Sequence, residues 1–149
     1  MTSNEKNTSA LIHISSLSQY IIPFGNYIFP TIIWSSKKEQ SSFIDSHGKS
    51  VLYFQLSTFL YSLILLLIAI PTFIYGLFNH SNFEVWFNDN DNFNALDIQN
   101  ASNYLIVFVI AILLFAILKF AEFILIILGA VKASNGEAYE YPLTIKFIK

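Results

Sequence analysis

The chain has 149 residues, of which 54% are hydrophobic and 12% charged, and its net charge at pH 7 is −2. This composition is too apolar for an ordinary soluble domain, and the length leaves room for one domain. The sequence contains neither Arg nor Cys, which excludes a basic field for nucleic acid, disulfides, thiolate metal sites and cysteine nucleophiles. We therefore expect one membrane domain that does not bind nucleic acid.

The chain begins with a polar stretch, residues 1–9, which is predicted to be a frayed N-terminal tail. Ser9 is a suitable N-cap for a helix that starts at Ala10. The tail has one Lys against one Glu, unlike the positively charged start of a cleavable signal peptide.

Residues 10–34 are apolar enough to form a membrane segment, but Pro23, Gly25 and Pro30 interrupt it. Proline removes a backbone donor and glycine permits a turn, so the segment is either a kinked span or a re-entrant pair of half-helices. Both forms need cover from other helices, because irregular backbone is not tolerated against lipid.

Two long apolar stretches follow, and each exceeds the roughly 20 helical residues that cross a bilayer core. Lys residues precede the first stretch and follow the second, whereas the acidic loop between the stretches has none. The positive-inside rule therefore places both Lys-bearing regions in the cytoplasm and the loop outside. The predicted order is a cytoplasmic link over residues 35–50, a transmembrane helix over 51–78, an external acidic loop over 79–100, a transmembrane helix over 101–132 and a cytoplasmic tail over 133–149.

One face of the first apolar helix carries small and polar side chains at alternating steps of three and four residues. Small residues let membrane helices approach closely, and polar ones form hydrogen bonds between helices. We predict a helix-packing stripe, with the lining of a polar path as the alternative. The stripe consists of Gln55, Thr58, Ser62, Leu65, Ala69, Thr72 and Gly76.

Ionisable residues within the apolar segments are the other candidates for function. Lys119 and Glu122 are three positions apart and therefore neighbours on a helix. An unpaired charge at the bilayer centre costs at least about 2.5 kcal/mol, so we favour a self-neutralising structural pair over a proton or substrate relay. His13 lies among hydroxyl-bearing residues on one helical face. A hydrogen-bonded structural histidine is favoured there over a proton shuttle.

The sequence has no Gly-rich phosphate loop, no paired catalytic carboxylates, no nucleophile elbow and no histidine spacing typical of a metal site. We therefore predict no catalytic, cofactor-binding or metal-binding residues, no cofactor and no enzymatic activity. The expected partners are the lipid bilayer and other membrane subunits or further copies of the chain.

Two blocks of sequence, His13 to Gln55 and Ala133 to Lys149, carry several short motifs, including Ile22-Pro-Phe-Gly-Asn and Tyr141-Pro-Leu-Thr-Ile. Together they resemble the bacterial Tic-twenty-like family, a domain of unknown function that is grouped with the chloroplast inner-envelope import component. The resemblance implies an integral protein of the bacterial cytoplasmic membrane, analogous to a translocation component. Tyr53 departs from the family pattern, which has Asn before Phe-Gln.

The sequence thus predicts an all-α integral membrane protein with two long antiparallel transmembrane helices and a Pro/Gly-broken N-terminal membrane segment. The preferred function is a non-enzymatic membrane component that assembles with other subunits in translocation or envelope organisation. The alternative is a small transporter or channel that uses the broken segment with His13, Lys119 and Glu122.

Overall fold

Helices form nearly all of the chain that the structure describes. The structure is a computed structural model that describes residues 2–79 and 102–145, with side chains described for 2–75 and 105–145. Within these ranges the chain is all-helical, as predicted, and contains no strand. The helices are α1 (Ser3–Ser15), a 3-10 helix (Ser16–Tyr20), α2 (Gly25–Lys37), a second 3-10 helix (Lys38–Gln40), α3 (Ser42–Asn79) and α4 (Ser102–Asn135).

The N-terminus is helical almost from its first residue, so the prediction of a frayed polar tail over residues 1–9 is wrong. Thr2 caps α1: its Oγ1 accepts from the backbone N–H of Glu5, and its own N–H donates to Glu5 Oε2. This reciprocal capping box satisfies two backbone donors that a helix start leaves unpaired. Ser9, predicted as the N-cap, instead lies buried in the middle of α1.

The predicted break separates two helices that pack against each other. The chain turns over residues 21–24, where Phe24 has a left-handed φ of 62°. Gly25 starts α2 so close to the first 3-10 helix that a Cβ would lie 2.6 Å from Ser18 Oγ. Pro30 is buried within α2, which continues through it. Helices α1 and α2 contact each other, and residues 3–37 are called the N-terminal hairpin below.

α3 begins before its predicted start, and α4 ends after its predicted end. α3 starts at Ser42 rather than at residue 51, so most of the predicted link over 35–50 is helical. The added turns carry an inward face of Ile44, His47 and Val51 at helical spacing. Trp34 secures this start, because its Nε1 donates to Asp45 Oδ1 at 3.0 Å. α4 continues to Asn135, three residues past the predicted end at 132, and a left-handed Gly136 (φ 83°) follows it.

The chain divides into two compact units, each with its own packing. The first unit comprises residues 1–60 and 119–149, and the second comprises residues 61–118. The core of the first unit is formed by Ile12, Ile44, Val51, Phe54, Ile126 and Tyr141. In the second unit Ala69 and Ala111 are buried, and the rings of Phe73 and Phe108 lie 4.8 Å apart.

Two helical segments are long and apolar enough to cross a membrane. They are Ser42–Tyr75 and Leu105–Asn135, with mean hydropathies of 2.1 and 2.7. Only 22% and 17% of their most apolar windows are buried within the chain. This exposure differs from that of the core helix of a soluble protein, which buries its apolar surface against its own fold.

Candidate functional site

The first unit contains polar side chains that are almost completely withdrawn from its surface. His13, His47, Gln55, Glu122 and Tyr141 are each at most 5% exposed, and we call these five residues the buried polar cluster. A buried polar group is costly unless it is hydrogen-bonded. The hydrogen bonds of these side chains therefore determine how the unit is held together.

Three of the side chains form one hydrogen-bonded row. The Tyr141 hydroxyl lies 2.6 Å from Nδ1 of His13, and Nε2 of His13 lies 2.8 Å from Nδ1 of His47. If the hydroxyl donates to His13, the His13 Nε2–H donates to His47, and each of these four atoms is satisfied. The row connects α1, α3 and the tail that follows α4.

The position of Tyr141 is fixed by its ring as well as by its hydroxyl. The ring stacks on Phe54 of α3, with centroids 4.0 Å apart and planes 7° from parallel. Burial raises the pKa of Tyr141 well above its usual value of 10, so the hydroxyl keeps its proton and remains a donor. The tail is also held along α3 by Ser50 Oγ, which donates to the Tyr139 carbonyl, and by Ser57 Oγ, which accepts from the Ile145 N–H.

Gly129 allows α4 to approach the row closely. A Cβ at this position would lie 2.7 Å from Nδ1 of His13 and 2.9 Å from the hydroxyl oxygen of Tyr141. Both distances are shorter than any ordinary contact of a Cβ atom. The helix backbone therefore forms one wall of the row, and no larger residue fits without displacing it.

Gln55 connects α3 to the N-terminal hairpin. Asn26 Nδ2 donates to Gln55 Oε1 at 2.7 Å, and the Tyr27 hydroxyl donates to the Gln55 carbonyl at 3.0 Å. Nε2 of Gln55 and Nε2 of His47 are buried without a hydrogen-bond partner among the described residues, although the Glu137 backbone lies beside the His47 ring. Such atoms in a folded protein commonly mark a bound water.

Glu122 carries a buried charge that two donors satisfy. Lys119 Nζ lies 2.8 Å from its Oε2, and Gln19 Nε2 donates to its Oε1 at 3.1 Å. The carboxylate side chain is fully buried, whereas the Lys119 side chain is 33% exposed. The carboxylate therefore connects α4 to the 3-10 helix of the hairpin as well as to Lys119.

The predicted stripe on α3 faces inward over its described part. Gln55 and Thr58 are buried in the first unit, and Ser62 and Ala69 are buried in the second. Leu65 and Thr72 are half-buried, and the Thr72 hydroxyl donates to the carbonyls of Ile68 and Ala69 in its own helix. The prediction for Gly76 lies outside the described side chains.

Sequence reasoning missed His47, Tyr141, Gln19 and Asn26 as partners of the singled-out residues. A signal for His47 was present, because His47, Val51 and Gln55 continue the stripe toward the N-terminus at steps of four. Tyr141 and Gln19 gave no such signal, since their partners are more than 100 positions away in the sequence.

The cluster is suited to holding helices together and to holding protons in fixed positions. Within residues 2–79 and 102–145, no group of three His, Asp or Glu side chains is placed to hold a metal ion. Both imidazoles are oriented by neighbouring side chains, and the charge of Glu122 is met by Lys119.

Comparison with known proteins gives one family. The family model described as the magnetosome magnetite crystal formation protein family, MamF/MmsF, matches residues 4–148. No curated protein and no solved structure matches the chain. The identification with the Tic-twenty-like family is therefore wrong, because the match covering almost the whole chain is to a different family. Short motifs such as Ile22-Pro-Phe-Gly-Asn were too few to separate the two families.

Proposed function

Because the chain belongs to the MamF/MmsF family of magnetosome magnetite crystal formation proteins, we propose that it is an integral protein of the magnetosome membrane that acts in magnetite crystal formation. The observation that carries this proposal is the family match over residues 4–148. A translocation role rested on the Tic-twenty-like resemblance and is withdrawn with it.

The exposed apolar helices support a position within the bilayer. The two candidate spans bury less than a quarter of their most apolar windows in the chain itself, so lipid is the natural cover for the rest. The distribution of Lys residues supports a cytoplasmic side for residues 35–50 and the tail, and an external side for the 79–100 loop.

We propose that the protein acts through its membrane fold and its assembly with other subunits rather than by catalysis. The buried polar cluster supports this role, since its hydrogen bonds connect the hairpin, α3, α4 and the tail. The described exposed surface of the two long helices is mostly apolar, which suits contacts with lipid, with other membrane proteins or with further copies of the chain.

The proposal is tested by deleting the gene in a magnetite-forming host and restoring it in trans. We expect the deletion to change crystal size or number in electron micrographs and the restored chain to reverse the change. A tagged copy should remain with purified magnetosomes after alkaline carbonate extraction. Unchanged crystals in the deletion strain would refute the role in crystal formation, and release of the tagged chain by carbonate would refute the integral membrane position.

A transporter is a second candidate, supported by the buried charge of Glu122. Its carboxylate lies about 20 Å from the end of α4 at Asn135, counted at about 1.5 Å per residue, which is deep for a membrane charge. Reconstituted vesicles discriminate the two roles. A pH-dependent flux that is lost in Lys119→Leu would support transport, and a flux equal to that of empty vesicles would refute it.

A further inference from the structure

The tip of the N-terminal hairpin, residues 20–24, exposes large apolar side chains. Ile21 is 85% exposed and Phe24 is 67% exposed. From residue 7 to residue 36 the sequence has no Asp, Glu, Lys or Arg, and the one histidine in this range is buried. An uncharged, apolar turn of this kind would be costly in water.

Both ends of the hairpin lie at the same end of the first unit. At the start of α1, Lys6 Nζ donates to the carbonyl of Asn135 at the end of α4, and Glu5 lies within hydrogen-bond reach of the Ser41 side chain. At the other end of the hairpin, α2 closes at Lys37, four residues before Ser41. A kinked span would carry its two ends to opposite sides, so this arrangement favours the re-entrant form of the segment.

The tip and the preceding residue, Gln19, contact α4 within its apolar run. Gln19 donates to Glu122, and the rings of Tyr20 and Phe123 lie 6.2 Å apart. These contacts are roughly 20 Å from the Asn135 end of α4, against a hydrocarbon core of about 30 Å. Residues 123–131, between these contacts and the end of α4, contain no charged side chain, so if α4 spans the bilayer this run and the tip beside its start lie at the depth of the hydrocarbon.

Four polar side chains in the central part of the hairpin face the interior of the unit. Ser9, His13, Ser16 and Asn26 are each at most 7% exposed, whereas Leu11 and Ile32 are more than half exposed. This distribution is the reverse of that in a water-soluble helical hairpin. A shallow groove of about 380 Å³ beside the tip is lined by Lys119 and three aromatic side chains, Tyr20, Phe120 and Phe123.

We propose that the N-terminal hairpin is a re-entrant membrane element, whose tip at residues 20–24 is immersed in lipid acyl chains and whose two ends return to the Lys-bearing side of the bilayer. This inference rests on the proposed integral membrane position. The occupant of the exposed tip is lipid, because the apolar surface of the tip is continuous with that of α4 around Phe120 and Phe123. Lys119 and Glu122 enter at this depth as an ion pair.

Single-cysteine labelling tests the inference directly, because the natural chain has no Cys. Ser3→Cys and Ser36→Cys mark the two ends of the hairpin, Ile22→Cys marks the tip, and Ser134→Cys is an exposed reference near the end of α4. Each variant is reconstituted in sealed vesicles of zwitterionic and anionic phospholipid and treated with a membrane-impermeant maleimide, with and without detergent.

We expect Ser3→Cys, Ser36→Cys and Ser134→Cys to react from the same side of the membrane. Ile22→Cys should react at least about tenfold more slowly until detergent is added, because acyl chains exclude the charged reagent. A nitroxide attached at Ile22 should collide more often with oxygen than with a water-soluble nickel chelate.

Three results would overturn the inference. Reaction of Ser3→Cys and Ser36→Cys from opposite sides would indicate a kinked span. Fast labelling of Ile22→Cys in intact vesicles would place the tip in water, and efficient disulfide formation between two Ile22→Cys chains would indicate cover by a second copy. Failure of the membrane position itself would be seen separately, as release of every variant by alkaline carbonate.

Discussion

Replacing Gly129 by Ala tests whether α4 must contact the His13–Tyr141 pair as closely as the structure shows. The added Cβ would lie 2.7 Å and 3.0 Å from two atoms of the His13 ring and 2.9 Å from the Tyr141 hydroxyl oxygen. Restoring ordinary contact requires the neighbours to move by about 0.4–0.7 Å. The His13 ring cannot easily do so, because both of its nitrogens are hydrogen-bonded.

The expected change in the free energy of unfolding of Gly129→Ala is the difference between two opposing effects. Alanine favours a helix over glycine by about 1 kcal/mol, while overpacking a closely packed interior costs about 1–3 kcal/mol. Because the contacted atoms belong to a buried ring held on both sides, we expect the larger cost and a net loss of about 1–2 kcal/mol in the free energy of unfolding. That loss corresponds to a melting temperature lower by about 3–6 °C for a chain of this size.

Thermal unfolding in detergent, followed by circular dichroism, measures this change. Ser134→Ala is the matched control, since it lies on the exposed side of the same helix and should change stability little. In a His13→Ala background the penalty for Gly129→Ala should shrink by at least about 1 kcal/mol, because the contacted ring is gone. The reasoning would be refuted if Gly129→Ala were as stable as the natural chain. It would also be refuted if the stability losses of Gly129→Ala and His13→Ala were additive in the double variant.

Three further predictions concern the helix cap, the charge pair and the stripe. The Thr2 backbone N–H holds the pKa of Glu5 below its usual 4.5, so the start of α1 should be fully capped above about pH 4.5 and loosen as the pH falls below it. Hydrogen-exchange protection factors of the first α1 amides, corrected for the intrinsic pH dependence of exchange, should fall in this range in the natural chain and stay constant in Glu5→Gln. Lys119→Met leaves the buried Glu122 carboxylate without its cation, so the free energy of unfolding should fall by about 3 kcal/mol. Adding Glu122→Gln should recover most of this loss in thermal unfolding, and no recovery would contradict the pairing. Ala69→Leu places a large side chain at a position that is 2% exposed, so the free energy of unfolding should fall by about 1–3 kcal/mol. An unchanged melting temperature would exclude close packing at this position.

The fold class and the long helices could be predicted from the sequence because they depend on local composition. A run of apolar residues with few charges specifies a long apolar helix wherever it lies in a chain. The inward face of α3 was also readable, since small and polar side chains repeat at helical spacing from Gln55 to Thr72. The helical start at Ser3 was missed although its signal was local, because Thr2 and Glu5 have the three-residue spacing of a capping box.

The hydrogen-bond partners within the buried polar cluster could not be predicted from local sequence patterns. His13 pairs with Tyr141 and Glu122 with Gln19 across separations of 128 and 103 residues, and helical periodicity does not report such distances. The family assignment failed for a related reason. Short apolar motifs containing Pro and Gly occur wherever membrane segments are interrupted, so they identify a kind of segment more readily than a family.

Several contacts in the first unit join residues that are far apart in the sequence, and this affects how the chain folds during its synthesis. Lys6 contacts the carbonyl of Asn135, and His13 contacts Tyr141, so the first helix emerges from the ribosome long before these two partners exist. Until residues 135–141 have been synthesised, Lys6 and Nδ1 of His13 lack these partners, although His47 is already present for Nε2 of His13. The N-terminal hairpin would then complete its contacts only after α4 and the segment up to Tyr141 have been synthesised.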